Sequence, residues 1–251
     1  MISLAGKRIL VTGGSRGIGR ATALLCARAG ADVGITYHTR RADADAVARA
    51  IRAMGRRAYV GGGDLSDPKR VAQCFAEVQA AFGGLDGFVA NHGIWPVSET
   101  PLSAMAPERW RDTLRVNLDS LFLTTRAALG LMRGEGRIVM VASTAGQRGE
   151  ANHADYAASK GAMISLVKSL AVECAPAITV NAVAPGWVDT EMCAATFAEP
   201  ERRRAIEATI PLGRVASADD IAGPIIFLLS DLARHVTGEI LNVNGGSVLC
   251  G

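Results

Sequence analysis

Short runs of β-branched and apolar residues alternate along this chain with longer Ala- and Leu-rich stretches whose apolar positions recur at helical spacing. That alternation is the signature of β-α-β units around a parallel sheet. Strands are predicted at residues 8–12, 32–37, 58–62, 87–91, 136–142, 179–184 and 239–243. Helices fill the intervals, including 68–82, 107–132, 154–174 and 218–229. Seven parallel strands with helices on both faces make an α/β, Rossmann-like, doubly wound sheet. One segment, 187–214, breaks the rhythm with the charged run Glu199-Pro200-Glu201-Arg202-Arg203-Arg204, followed by Ile210-Pro211-Leu212-Gly213-Arg214. It follows a predicted strand end, on the side where such sheets bind ligands, and is read as a mobile lid over the substrate. The alternative is an ordinary solvated helix with a basic face.

Composition narrows the classes. With 251 residues, 49% of them apolar, the chain can bury one full core, so a single domain over 1–251 is expected. The net charge of +3 is modest and the Arg pairs are scattered, which gives nucleic-acid binding little support. No apolar run approaches the ~20 residues of a membrane span, and 9–11 is too short for a signal-peptide core, so a soluble cytoplasmic protein is expected. Cys26, Cys74, Cys174, Cys193 and Cys250 are odd in number with no C-x-x-C pair, and read as reduced core thiols. His38, His92, His153 and His235 lack metal-ligand spacing; no metal is expected.

Two clusters carry candidate chemistry. The apolar strand Ile9-Leu10-Val11 runs into Thr12-Gly13-Gly14-Ser15-Arg16-Gly17-Ile18-Gly19, then a helical pattern to Ala29 stopped by Gly30. Strand, glycine turn and helix N-terminus make an anion site, because free backbone N–H groups and the helix dipole converge there. Further on, Tyr156-Ala157-Ala158-Ser159-Lys160 places a phenol and an ammonium on one helix face, with Ser143 thirteen residues upstream. At ~4 Å and an effective dielectric of ~20 their attraction reaches about 4 kcal/mol. That could lower a phenol of pKa ~10 by up to roughly 3 pH units, giving a general acid or base near neutral pH.

Together the 12–19 turn, Ser143, Tyr156 to Lys160, and Pro185-Gly186-Trp187-Val188-Asp189-Thr190 resemble the short-chain dehydrogenase/reductase family, in the family's order and over nearly the whole chain. The resemblance implies a nicotinamide dinucleotide on Gly13, Ser15, Arg16, Gly17, Ile18 and Gly19. Which dinucleotide is read from the end of the second strand, Ile35-Thr36-Tyr37-His38-Thr39-Arg40-Arg41, where no carboxylate awaits a ribose. Asp32 is at the wrong end of that strand, and reads as a cap or turn residue. NADP(H) is therefore preferred, with Arg16, His38, Thr39 and Arg40 around its 2′-phosphate; NAD(H) stays open. Asp64, next to Leu65, matches the family position that meets the adenine amino group, its alternative being a helix cap, for which Ser66 or Asp67 is better placed.

Asn91 and Gly93 follow strand four, but the chain reads Ala90-Asn91-His92-Gly93 where the family has Asn-Asn-Ala-Gly. The lost first Asn puts one strand-end hydrogen bond in doubt, and His92 is read as a packing variant rather than a catalyst. Pro185 and Gly186 end strand six, and Val188 and Thr190 match the family's carboxamide contacts. In catalysis the resemblance makes Ser143 the donor that orients a carbonyl and Tyr156 the proton donor. Lys160 holds the nicotinamide ribose and lowers the Tyr156 pKa. Asn117 matches the family Asn that supports a water relay to the lysine, against the alternative of a helix Asn bonding a backbone carbonyl.

The expected activity is interconversion of a ketone and a secondary alcohol, in the manner of 3-oxoacyl reductases and related ketoreductases. Residues 174–178 lack the basic residue that would meet an acidic acyl carrier protein, so a carrier is allowed but not favoured over a small-molecule ketone or alcohol. A sugar or polyol dehydrogenase using NAD or NADP is the enzymatic alternative. A non-catalytic NADPH-sensing regulator is the alternative from another class, against which intact Ser143, Tyr156 and Lys160 argue. The apolar stretch 162–171 and the family's helix pairing imply a homotetramer.

Overall fold

The computed structural model describes residues 2–249, so Cys250 lies outside the described residues. Seven parallel strands form one sheet: β1 (Arg8–Val11), β2 (Asp32–Tyr37), β3 (Ala58–Gly62), β4 (Leu85–Ala90), β5 (Met132–Val141), β6 (Ile178–Pro185) and β7 (Ile240–Val243). Their spatial order is β3-β2-β1-β4-β5-β6-β7, so the chain winds one way from β1 and the other way from β4. The crevice at the carboxyl ends of β1 and β4 is the switch point where such sheets bind ligands.

Strand alternation sorts the apolar side chains into two cores. Ile9 and Val11 point to one face, where they pack with helices α1 (Gly17–Arg28), α2 (Arg41–Ala53) and α10 (Ala218–Leu229) through Ala23, Val47 and Ile225. Leu10 points to the other, toward α3 (Pro68–Phe82), α5 (Ser120–Leu131) and α7 (Ala154–Glu173), through Val78, Leu121 and Val167. Local signals set the helix ends. Asp67 caps α3 by accepting from the Lys69 N–H, Pro68 occupies its first turn, and Gly83 ends it in the left-handed conformation. A reciprocal Ser217/Asp220 capping box starts α10.

Most predicted bounds lie within two residues of the observed ones, and the larger departures fall in the stretches 107–136 and 187–214. The helix expected over 107–132 is divided into α4 (Pro107–Leu114), a π-helical turn (Arg115–Asp119) and α5, and Met132 already belongs to β5, paired with Leu85. The π turn carries Asn117, whose buried amide bonds two other elements, so tertiary contacts override an otherwise uniform helical pattern. The 187–214 segment contains α8 (Ala194–Phe197) and α9 (Pro200–Ala208). None of α9 is buried, yet Arg202 pairs with Glu99 at 2.5 Å and Arg203 with Asp189 at 2.9 Å. Among the described residues no helix is long and apolar enough to cross a membrane.

One close contact sets the position of the helix that carries Tyr156 and Lys160. The short helix α6 (Thr144–Arg148) lies against α7 so tightly that a Cβ on Gly146 would stand 2.6 Å from the Lys160 carbonyl carbon and 2.8 Å from the Gly161 nitrogen. Both are backbone atoms of a helix and cannot step aside. Gly146→Ala should therefore cost about 1–3 kcal/mol despite alanine's better helix propensity. In thermal unfolding that is a Tm lower by ~2–4 °C per kcal/mol; an unchanged or higher Tm would show that α6 is free to move.

Candidate active site

The glycine turn is pinned from behind. Thr36 Oγ1 accepts from the Gly13 N–H at 3.1 Å and the Thr36 carbonyl from the Gly14 N–H at 2.9 Å, so the end of β2 holds the turn. A Cβ on Gly19 would lie 2.3 Å from the Gly13 carbonyl oxygen and 2.5 Å from Asn91 Nδ2, which excludes any side chain there. The helix that follows has Arg16 as its N-cap, and that side chain gives it no hydrogen bond. The N–H groups of Gly17, Ile18 and Gly19 thus have no helical acceptor and face outward as an anion cradle. This is the shape a dinucleotide diphosphate requires, so the residues present fit that group.

The strand-end hydrogen bond in doubt at Ala90 is supplied otherwise. Asn91 donates from Nδ2 to the Thr12 carbonyl at 2.8 Å, and its N–H donates to Thr12 Oγ1 at 3.0 Å. His92 adds two contacts, Nδ1 at 2.8 Å from Thr12 Oγ1 and Nε2 at 2.6 Å from Ser120 Oγ, and so ties β1 to α5. Burial, seconded by the charge of Lys160, pushes its pKa down to about 4, so the ring is neutral and acts as a brace.

Toward the adenosine end, His38, Thr39 and Arg40 stand exposed beyond β2 and Arg16 is exposed on the turn. Arg40 has only a 3.9 Å contact with Asp43. Asp32, at the start of β2, is ion-paired with Arg57 at 2.7 Å, away from the cleft. Asp64 is more engaged than expected: Oδ1 accepts from the Ser66 N–H and hydroxyl, and Oδ2 from Arg115 at 2.8 Å. Burial opposes its ionisation, but Ser66 and the Arg115 guanidinium outweigh it and hold the carboxyl down at about 2. Leu65 is buried beneath it. Arg115, which also bonds Asp112 at 2.7 Å, belongs to this wall and was not singled out by the sequence.

At the other end, Ser143 caps α6 by accepting from the Ala145 N–H at 3.1 Å, and its hydroxyl faces the same cleft as Tyr156. Lys160 Nζ is buried, donates to the Val141 carbonyl at 2.8 Å and stands 5.7 Å from the Tyr156 ring centroid. Here the expected electrostatics is corrected. Burial raises the Tyr156 pKa above its ordinary value; Ser143 pulls it down, while Glu150 and Cys193 push it further up. Burial also lowers Lys160 to about 8. At Tyr156 desolvation outweighs the lowering by Ser143, and the phenol holds its proton.

Asn117 sits behind the lysine. Its Oδ1 accepts from the Ile94 N–H at 2.7 Å, and its Nδ2 donates to the Ile94 carbonyl at 2.9 Å and to Ser159 Oγ at 3.1 Å. Both amide atoms are thus used in clamping the loop after β4 to α7, closer to the alternative reading of this residue. Gly93 fits between, where a Cβ would lie 3.0 Å from Asn117 Oδ1 and 3.8 Å from Lys160 Nζ. Pro185 ends β6, Val188 is buried and Thr190 packs over the turn, its Cγ2 3.3 Å from where a Gly17 Cβ would be. All the sequence-derived residues line one cleft of about 610 Å³, except Gly19 and Asn117, which lie just beneath its wall.

A third group of lining residues was missed. Trp95, in the loop after β4, donates its indole N–H to Glu150 Oε1 at 3.1 Å and stacks on the buried His153 ring at 4.7 Å. Trp187, after β6, meets Trp95 edge-on at 5.9 Å and Phe197 of α8 at 5.8 Å. Burial raises the Glu150 pKa, against His153, Trp95 and Arg148. Trp187 stands inside the 185–190 motif without a role of its own there, and Trp95, Glu150 and His153 belong to no motif. Their signal was position: two tryptophans, each just past the carboxyl end of a strand.

Known proteins share this architecture. The family model described as "Enoyl-(Acyl carrier protein) reductase" matches residues 13–247. The 3-oxoacyl-[acyl-carrier-protein] reductase of Escherichia coli K12 is 39% identical over 248 residues, 98% of each chain. An L-rhamnose 1-dehydrogenase (NAD(P)(+)) of Azotobacter vinelandii is 38% identical over 250 residues, 97% of each chain. A short-chain dehydrogenase from Burkholderia cenocepacia, solved in complex with NADP, superposes with a TM-score of 0.91 at 38% identity, covering 97% of this chain and 98% of its own. Sheet order, glycine turn and full-length similarity agree: the chain belongs to the short-chain dehydrogenase/reductase family of oxidoreductases.

Proposed function

We propose that this protein interconverts a ketone and a secondary alcohol with NADP(H), Tyr156 giving the proton to the carbonyl oxygen in reduction. The observation that carries this reading is the convergence of Ser143, Tyr156 and Lys160 on the cleft that the glycine turn opens into. When bound, the dinucleotide supplies hydride. The chain's own residues do the rest. Gly17 and Ile18 offer backbone donors to the diphosphate, Asp64 the adenine contact, and Val188 and Thr190 the carboxamide contacts. Ser143 orients the substrate oxygen, and Tyr156 releases its proton as negative charge develops there, so both donors act most strongly in the transition state. Lys160 holds the nicotinamide ribose and, as a cation, supports the tyrosinate left behind. Asn117 positions the loop and α7 and is the candidate support for a water path to the lysine.

Exposed Arg16, His38, Thr39 and Arg40, with no carboxylate at the β2 end, support a 2′-phosphate, and the Burkholderia relative was solved with NADP. Residues 187–214 serve as the lid, held to the loop after β4 by the Arg202–Glu99 pair and braced internally by Arg203–Asp189, with Thr190, Met192 and Cys193 over the cleft. The loop after α7 carries no Lys or Arg to meet an acidic carrier, which favours a small-molecule substrate. Exposed Phe122 and Val172 on α5 and α7 support pairing of these helices between copies in a homotetramer; a monomer in sedimentation would remove that part.

Steady-state reduction of a ketone panel tests the mechanism. Tyr156→Phe should keep NADPH affinity within about threefold and lower kcat by at least ~10²-fold, the scale of a general acid; comparable turnover would exclude Tyr156 as proton donor. In the same assay the wild-type rate should fall as pH rises through about 8, because the depressed Lys160 loses its charge there. Lys160→Arg, which stays charged, should remove that fall. Cofactor choice has its own test. Arg16→Ala combined with Arg40→Ala should weaken NADPH at least ~tenfold and leave NADH within about twofold, since only the former bears the extra phosphate. Equal losses for both would assign these arginines elsewhere.

A further inference from the structure

The wall formed by Trp95, Glu150 and Trp187 faces the same cleft as Ser143 and Tyr156, and its hydrogen bonding is incomplete on one side. His153, buried behind this wall, has Nε2 2.9 Å from the Pro96 carbonyl, and Nδ1 3.4 Å from the Ala151 carbonyl and 3.6 Å from Glu150 Oε1. His153 therefore faces Oε1, the same carboxylate oxygen that the indole serves, and not Oε2. Among the described residues the Trp95 indole N–H is the sole hydrogen-bond donor to the Glu150 carboxylate, and it serves Oε1. Oε2 has no protein donor, although the residue is half-buried and a carboxylate offers about four acceptor sites. Indole flanks, an under-satisfied acceptor and a nearby pair of donors to a reacting oxygen are the elements of a site that reads hydroxyls along a carbon chain.

From this arrangement we propose that the substrate is a polyhydroxylated carbonyl compound or the matching polyol, held by a hydroxyl on Glu150 Oε2 with its C–H face against Trp95 and Trp187. The proposal rests on the oxidoreductase reading above and names its substrate class. A plain acyl chain would lie against the carboxylate and strip its water without replacing it, a costly burial of charge. An amine would answer Glu150, but it would enter between the Lys160 ammonium and the Arg148 guanidinium at the rim. A hydroxyl donates to the carboxylate without adding charge.

The test compares pentitols and ketohexoses with 2-pentanol, 2-hexanone and a 2-amino alcohol of similar length, using the whole protein with NADP(H). A site built to bond a hydroxyl rejects the analogue lacking it, so kcat/KM should favour the hydroxylated compounds by at least ~100-fold. Glu150→Gln, nearly isosteric, should reduce that ratio at least ~tenfold while NADPH affinity and Tm stay as in the wild type. Indole fluorescence with NADP⁺ present gives a readout independent of turnover, since Trp95 and Trp187 line the subsite. Equal or better use of the plain ketone or the amino alcohol, or a ratio unmoved by Glu150→Gln, would overturn the proposal and leave the oxidoreductase reading standing. A polyol-induced fluorescence change that Glu150→Gln abolishes, without turnover of any compound, would keep the subsite and overturn the oxidoreductase reading. No turnover of any compound in the panel, together with no fluorescence change with any polyol, would overturn both.

Discussion

Keeping an ammonium out of water beside a half-buried phenol at the edge of the cleft is the constraint around which this protein is organised. Lys160 is buried and donates to the Val141 carbonyl, while Tyr156 is half-buried beside it. An isolated charge so placed is costly, and burial shifts each pKa toward the neutral form. The result is a proton donor that keeps its proton and a lysine poised near neutrality. Such a site is suited to a step that creates negative charge on an oxygen next to both, and to little else.

The remaining architecture serves that pairing. Ser143 reaches Tyr156 because α6 lies on α7 with only glycine at the contact, and Lys160 reaches Val141 because α7 packs across the end of β5. The dinucleotide cradle is built on the same logic of missing atoms: Gly19 lets Gly13 and Asn91 close in beneath the turn, which leaves the outer N–H groups for an anion. Across β4, the Thr12, Asn91, His92 and Ser120 network locks the two halves of the sheet at the switch point. Fixed side chains on rigid elements cost little to reorganise when charge develops, which is what electrostatic stabilisation demands.

Much of this was legible in the order of residues. Short β-branched and apolar runs located all seven strands, and glycine, proline and capping residues marked the helices, with α3 and α10 found at the observed bounds, 68–82 and 218–229. The cleft residues were legible because their types are tied to a turn or a helix face. What local patterns could not carry was tertiary. The π turn around Asn117 is imposed by its bonds to Ile94 and Ser159, which lie far away in the chain. The pairing of Arg115 with Asp64 spans 51 residues, and the Trp95, Glu150 and His153 cluster joins two loops with no shared motif. The sign of the Tyr156 shift was misjudged for a similar reason: helical spacing reports a neighbour's charge, whereas desolvation depends on everything that covers the ring.

Ultraviolet difference titration of tyrosinate, wild type against Tyr156→Phe without added cofactor, tests this electrostatic picture most directly. Burial-dominated chemistry requires that the Tyr156 signal appear only above the ordinary phenol range, beyond pH ~10, after Lys160 has lost its charge. A tyrosinate that forms near neutral pH would contradict it, and would return Lys160 to the role of the dominant partner.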